Sequence, residues 1–289
     1  MPSCPPIVER NKPLLGTYVT VRARGLAAPV ANEIMERCFA EVSEIHRRMS
    51  FQEFASDVSV LNREAYRRPV RVDTRTFDVL RIADEVSESS DGAFDVTVAP
   101  SVVAATGAMA PRLAPAPDPN AHWSDVELLP GRYVRYRRPL WLDLSGIAKG
   151  YAVDRVIAIL AGAAATQACV NAGGELRVRG PEPEWVRLDV DTRCEVVVPF
   201  VALKNESLAS SGRRSGTSDP HACPAVCFDS QRNTCSPDRF VSVLAPTCVV
   251  ADALTKVVMV RGRSARDTLQ HFEARALMSD GETGWCEIA

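Results

Sequence analysis

The hydrophobic positions of this chain change period several times along its length. From Pro29 to Met49, Ile34, Cys38, Val42 and Ile45 recur every three or four residues, which predicts one apolar helical face. Thr74 to Ser90 predicts a further amphipathic helix carrying Phe77, Leu80, Ile82, Ala83 and Val86, and Ser56 to Asn62 predicts a short helix capped by Ser56. Leu14 to Ala23 instead alternates Tyr18, Thr20 and Arg22 with Val19, Val21 and Ala23, the period of a strand. One stretch holds both periods: in Pro139 to Leu160, PLWLDLSGIAKGYAVDRVIAIL, a buried strand at Trp141–Leu144 runs into a turn at Ser145-Gly146. A helix with Ala148, Ala152, Val156, Ile159 and Leu160 on one side follows, with Ser145 as its expected N-cap.

Around that stretch the pattern is mostly that of strands. Tyr133–Tyr136 and Leu140–Leu142 predict two strands of a hairpin, after an Ala- and Pro-rich loop from Ala104 to Asn120. Ala168–Val178 predicts a strand interrupted by Gly173-Gly174, the mark of a bulge or of a close approach by ligand or backbone. Further strands are expected around Trp185–Val190, Glu195–Pro199 and Phe240–Leu244, with a helix opening at Thr247.

Composition narrows the class. With 289 residues, 46% of them hydrophobic and 24% charged, the chain can bury a real core in one large domain or two intimate ones. A formal net charge of -2 and 6% aromatic residues argue against a nucleic-acid partner, which needs a basic surface and stacking platforms. Nine cysteines, an odd number spread over a long chain, fit reduced thiols. The segment MPSCPPIVERNK lacks the unbroken apolar run of a signal peptide, and no stretch approaches ~20 apolar residues. The expectation is therefore a cytoplasmic chain without a transmembrane segment.

Three places carry candidate chemistry. Lys149 is a cation in the first turn of a helix, where the macrodipole favours anions by roughly 0.3–1 kcal/mol; it reads either as the partner of an anionic ligand or as a solvated side chain. Asp252 lies near the start of its helix, where an acid is favoured as a dipole partner, and beside Thr255 it also suits a hard cation such as Mg²⁺. Cys223, Cys227 and Cys235 accompany His221, but their C-x3-C-x7-C spacing has no CxxC unit and speaks against zinc.

Taken in order, LLGTYVTV, DGAFDVTVAP, LDLSGIAKGYAVD, VNAGGELRVRG, SLASSG and APTCVVADALTK resemble the ApbE-type flavin transferases from Leu14 onward. The resemblance implies an N-terminal extension over 1–13 and a single α+β domain over 14–289, with antiparallel-rich sheets flanked by helices. It implies FAD as bound substrate, a magnesium ion, and transfer of FMN from FAD to a Ser or Thr hydroxyl of an acceptor flavoprotein, leaving AMP. Matched position by position, it assigns FAD contacts to Leu15 (where the family usually has Met), Ala93, Phe94, Asp95, Asp143 and Lys149. Magnesium falls to Asp252 and the Gly146 backbone oxygen, and the proton-accepting base to His221.

Two departures stand out. The segment after His221, ACPAVCFDSQRNTCSPDR, echoes the family pattern only faintly. Lys256 stands where the family commonly has Thr, so either Thr255 one position earlier is the substitute ligand or Lys256 changes the metal affinity. These departures keep two alternatives open: an FAD-binding protein without transferase chemistry, and an FAD pyrophosphatase that makes FMN and AMP.

Overall fold

The computed structural model describes residues 7–188, 199–212, 228, 239–279 and 284–289. Its first half runs β1 (Ile7–Leu14), β2 (Thr17–Arg24), α1 (Ala28–Met49), α2 (Asp57–Glu64), β3 (Val70–Arg71), α3 (Thr74–Ser89), α4 (Ala99–Thr106), β4 (Val126–Leu129) and β5 (Tyr133–Tyr136). The second half continues with α5 (Ala148–Gly162), β6 (Gln167–Ala172), β7 (Leu176–Arg179), β8 (Glu184–Arg187), β9 (Phe200–Leu203), β10 (Ser207–Ser211), β11 (Phe240–Ala245), α6 (Cys248–Arg261), α7 (Arg266–His271), β12 (Arg275–Ser279) and β13 (Trp285–Ile288).

Eight strands form one antiparallel sheet in the order β1-β2-β6-β7-β10-β11-β12-β13. A small sheet β3-β5-β4 and a ribbon β8-β9 complete the α+β architecture expected from the sequence. Both faces of the large sheet are covered, which explains why β11 is buried at every position instead of alternating. Val241 and Val243 join the main core, where α5 and α6 pack side by side on the strands. Leu244 points the other way, into a second core with Leu176, Val178 and Leu203. Helix α1 packs on α5, and α3 packs on α6. Among the described residues no helix is long and apolar enough to cross a membrane.

Several local expectations are corrected. Residues 7–13 of the extension expected over 1–13 belong to β1, the edge strand of the large sheet, and their exposed positions are what hid the strand from a hydrophobic pattern. Leu15 and Gly16 form a two-residue turn with φ of 56° and 71°, so β2 starts at Thr17. Gly173-Gly174 is likewise a hairpin turn between two strands, with φ of 77° and 119°, and not a bulge inside one. Tyr133–Tyr136 does form a hairpin strand, but its partners are β4 and β3. Trp141–Leu144 is extended without being a strand. The expected strand at Glu195–Pro199 lies almost entirely outside the described residues.

Candidate active site

Residues 140–144 are held straight by a side chain instead of a ladder. The Asn62 amide accepts from the Leu142 N–H at 2.7 Å and donates to its carbonyl at 3.0 Å, while the Asp143 N–H reaches the Val96 carbonyl at 2.8 Å. Alternation then buries Leu140, Leu142 and Leu144 and turns Asp143 toward a cavity. The Asp143 carboxylate accepts from the Ser145 N–H at 2.8 Å and from its hydroxyl at 3.0 Å, closing an Asx-type turn. Ser145 is thereby used up and does not cap α5, which follows Ile147 without a side-chain cap. Burial raises the Asp143 carboxyl above its usual range, against the opposing bonds from Ser145.

Helix α6 delivers the second half of the site. Its first N–H groups, on Cys248 and Val249, are taken by the Asp154 carboxylate of α5 at 2.9 Å each, with Arg177 of β7 holding that acid at 2.5 Å. So anchored, the two helices touch where α5 has no side chain. A Cβ on Gly150 would overlap the Cys248 carbonyl oxygen and lie 2.8 Å from the Asp252 Cβ. That approach lets the Gly150 N–H donate to Asp252 Oδ2 at 3.0 Å. Asp252 is 0% exposed, and its Oδ1 accepts from the Lys256 ammonium one helical turn on, at 2.5 Å. The same Nζ donates to the Asp252 carbonyl at 3.0 Å.

A second ion pair lies beside the first. The β6–β7 turn carries Glu175, 2% exposed, to within 2.5 Å of Lys149 Nζ. Burial and then the like charge of Asp252 push the Glu175 carboxyl up, with both lysines opposing. Burial acts to lower the Lys149 ammonium, yet Glu175 and Asp252 outweigh it and hold it above its usual value. Glu175 Oε2 has no hydrogen-bond partner among the described residues. Two carboxylates and two ammonium groups thus lie as neighbouring ion pairs, close enough for each pair to feel the other.

In front of this cluster opens a cavity of about 370 Å³. Asp143, Ser145 and Lys149 form its polar end, and Leu15, Met49 and Val102 are among its apolar walls. Such a mixture suits a ligand with a flat apolar part and an anionic part. Leu15 is placed here by the left-handed β1–β2 turn. Ala93, Phe94 and Asp95 back the corner: a Cβ on Gly146 would sit 3.8 Å from the Phe94 ring, and Asp95 Oδ1 accepts from the Thr97 N–H and hydroxyl at 2.7 and 2.8 Å.

The donor set does not fit the expected magnesium. Mg²⁺ demands free oxygens at octahedral positions. Here the Asp252 oxygens are taken by Lys256 and by the Gly150 N–H. The Thr255 hydroxyl donates to the Asp252 carbonyl at 2.7 Å and bonds Ser211 at 2.7 Å, turned into the core. Gly146 faces the Lys256 stem, whose Cε would lie 3.4 Å from a Cβ placed there. A divalent ion about 4 Å from that ammonium would meet repulsion of about 8 kcal/mol at an effective dielectric of about 20. Among the described residues no group of three or more His, Cys, Asp or Glu side chains is arranged to hold a metal.

Of the residues singled out from sequence, Leu15, Ala93, Phe94, Asp95, Asp143, Gly146, Lys149 and Asp252 are brought together around the corner. Thr255 is next to them but faces away. His221, Cys223, Cys227 and Cys235 lie outside the described residues. Sequence reasoning missed Asn62, Gly150, Asp154 and Glu175; only Glu175 gave a signal, as an acid directly after a glycine pair.

Comparison with known proteins follows the same lines. Residues 15–278 match the model of the ApbE family. The chain is 27% identical over 285 residues to the FAD:protein FMN transferase of Haemophilus influenzae, covering 89% of this chain and 81% of that protein. Its fold matches the flavin transferase ApbE from Vibrio cholerae with a TM-score of 0.80 at 23% identity, over 98% of this chain and 96% of that one. The apo flavinyl transferase ApbE of Pseudomonas stutzeri gives 0.81 at 19% identity, over 99% and 95%.

Proposed function

Because this chain belongs to the ApbE family, we propose that it moves FMN from FAD onto a Ser or Thr hydroxyl of an acceptor flavoprotein and releases AMP. The observation that carries the reading is the hydrogen bond from Gly150 to Asp252, which joins the Asp143–Lys149 corner and the α6 acid into one polar floor beside an apolar cavity. FAD has the matching shape, a pyrophosphate between two flat ring systems.

In the proposed reaction the acceptor oxygen attacks the FMN-side phosphorus. The bond from that phosphorus to the bridging oxygen breaks, and the electron pair leaves on AMP. The hydroxyl proton passes to a base, the role the resemblance gives to His221. This is phosphoryl-type transfer, in which positioning and charge neutralisation do most of the catalysis. Lys149 would meet the pyrophosphate at the start of α5, where helix N–H groups and the ammonium act together. Asp143 would orient the ligand through the turn it closes, and the apolar walls would exclude water from the phosphorus.

Intact-mass analysis tests this directly. Incubation with FAD and a candidate acceptor flavoprotein should add one FMN to the acceptor, on Ser or Thr, with one AMP formed per FMN added. AMP formed without acceptor would instead identify FAD hydrolysis. Bound FAD with no AMP and no modified acceptor, across several acceptors, would overturn transfer.

A further inference from the structure

The misfit between the donor set and magnesium has a positive side, because the place is filled. We propose that the Lys256 ammonium acts as a built-in cation in place of a divalent ion, so that this chain binds the FAD pyrophosphate and transfers FMN without a metal.

Four observations converge on Lys256. Its Nζ takes the acidic oxygen that a metal would take, at 2.5 Å from Asp252 Oδ1. Its stem runs beside Gly146, the other expected metal-holding position. Its partner acid is sealed at 0% exposure while the Lys256 side chain keeps 23%, so the cation is anchored on a buried acid and part of its side chain stays accessible. An ammonium has three N–H donors; two go to the Asp252 carboxylate and carbonyl, and the third has no acceptor among the described residues.

The register makes the arrangement robust. Lys256 is four residues after Asp252 on α6, so the helix itself sets the acid and the cation one above the other. With Lys149 paired to Glu175 and Lys256 to Asp252, both buried acids already carry an ammonium partner before ligand arrives. An incoming pyrophosphate would then meet two ammonium groups, and lysine serves phosphate as a compact point charge. Lys256 would steady the anion and the charge that gathers on the leaving AMP.

The inference rests on FAD being the ligand, and the test keeps the two claims apart. Mn²⁺ titration followed by electron paramagnetic resonance needs no FAD. The wild type should leave the added Mn²⁺ free, whereas Lys256→Thr, which uncovers Asp252, should gain a site. Flavin fluorescence then compares FAD binding in EDTA and in excess Mg²⁺. The wild type should bind equally in both, while Lys256→Thr should lose at least about tenfold in EDTA and recover with Mg²⁺. Lys256→Met keeps the stem without the charge and guards against misfolding of the Thr variant: it should show the same weakened binding in EDTA. Wild-type Mn²⁺ binding as tight as that of the Thr variant, or wild-type FAD binding that needs Mg²⁺, would overturn the built-in cation. FAD that binds under neither condition would sink the functional reading instead, with the Mn²⁺ result still deciding the role of Lys256.

Discussion

Acids and bases are paired in two parts of this molecule with opposite consequences. Along the outer side of α1, Glu41 is bound by Arg75 and Arg155, and Glu44 by Arg47 and Arg48. There the arginines win: the hydrogen bond from Arg75 leads in lowering the Glu41 carboxyl, and Arg47 then Arg48 hold Glu44 at about 2. At the α5–α6 seam the pairs are at least as close, yet Asp154 and Glu175 are both raised, as is the Ser145-bonded Asp143 before α5, with burial the leading cause in each. The same chemistry stabilises charge where water remains and merely tolerates it where water is removed. Retaining such groups inside a core works against stability, and functional sites are where that is expected.

The largest effect should come from breaking a buried pair. Asp252→Ala strands the Lys256 ammonium and the Gly150 N–H, and should cost about 3 kcal/mol of stability; FMN transfer should vanish with it. Denaturant unfolding of Asp252→Ala, Lys256→Met and the double variant measures the coupling, and the double should be more stable than Asp252→Ala alone. Additive losses would mean that the two side chains do not depend on each other.

A smaller change should sharpen the contrast through pH. Asp143→Asn keeps an oxygen for the Ser145 N–H while removing the charge that burial disfavours. Because the folded-state value of Asp143 is raised, its favourable contribution is complete below the unfolded value of 3.8 and is lost as pH rises through the folded value. The Asn variant should therefore be more stable than wild type by about 1 kcal/mol at neutral pH, and the gap should close on acidification toward 3.8. Thermal melts across that range check both points.

On α1 the sign reverses and the size shrinks. The Glu44 carboxyl is depressed, so its contribution is present above the unfolded value of 4.5 and lost as pH falls toward about 2. Glu44→Gln should lower stability by less than about 1 kcal/mol at neutral pH, since solvent screens an exposed pair. The difference should disappear at about pH 2. Melts in which the Asp143 and Glu44 variants drift the same way with pH would remove the distinction between the two regions.

What the chain made legible was periodic and local. The helices α1, α3 and α5 follow from their apolar spacing, and Lys149 stands out because a cation in a first turn is out of place. What stayed hidden was long-range. Leu140, Leu142 and Leu144 alternate just as a strand would, and nothing nearby reveals that the backbone of Leu142 is paired with Asn62, 80 residues earlier. β1 has no apolar alternation because it is an exposed edge, so pattern could not find it. Gly150 looks like a weak point in a helix until Cys248 and Asp252 are laid against it. The site residues came from motifs for the same reason: a motif records which distant segments meet, while periodicity records only one segment's own faces.

The contact at Gly150 also sets an order of events. The corner at 143–149 and Gly150 after it are synthesised at mid-chain, but the acid that bonds Gly150 arrives 102 residues later. Until α6 docks, the corner is an uncovered helix start with an unanswered N–H, and neither half can serve as a partial site. Maturation of the pocket is thus tied to near-completion of the polypeptide, and a chain stopped short of residue 252 would carry every corner residue yet lack the carboxylate that closes the floor.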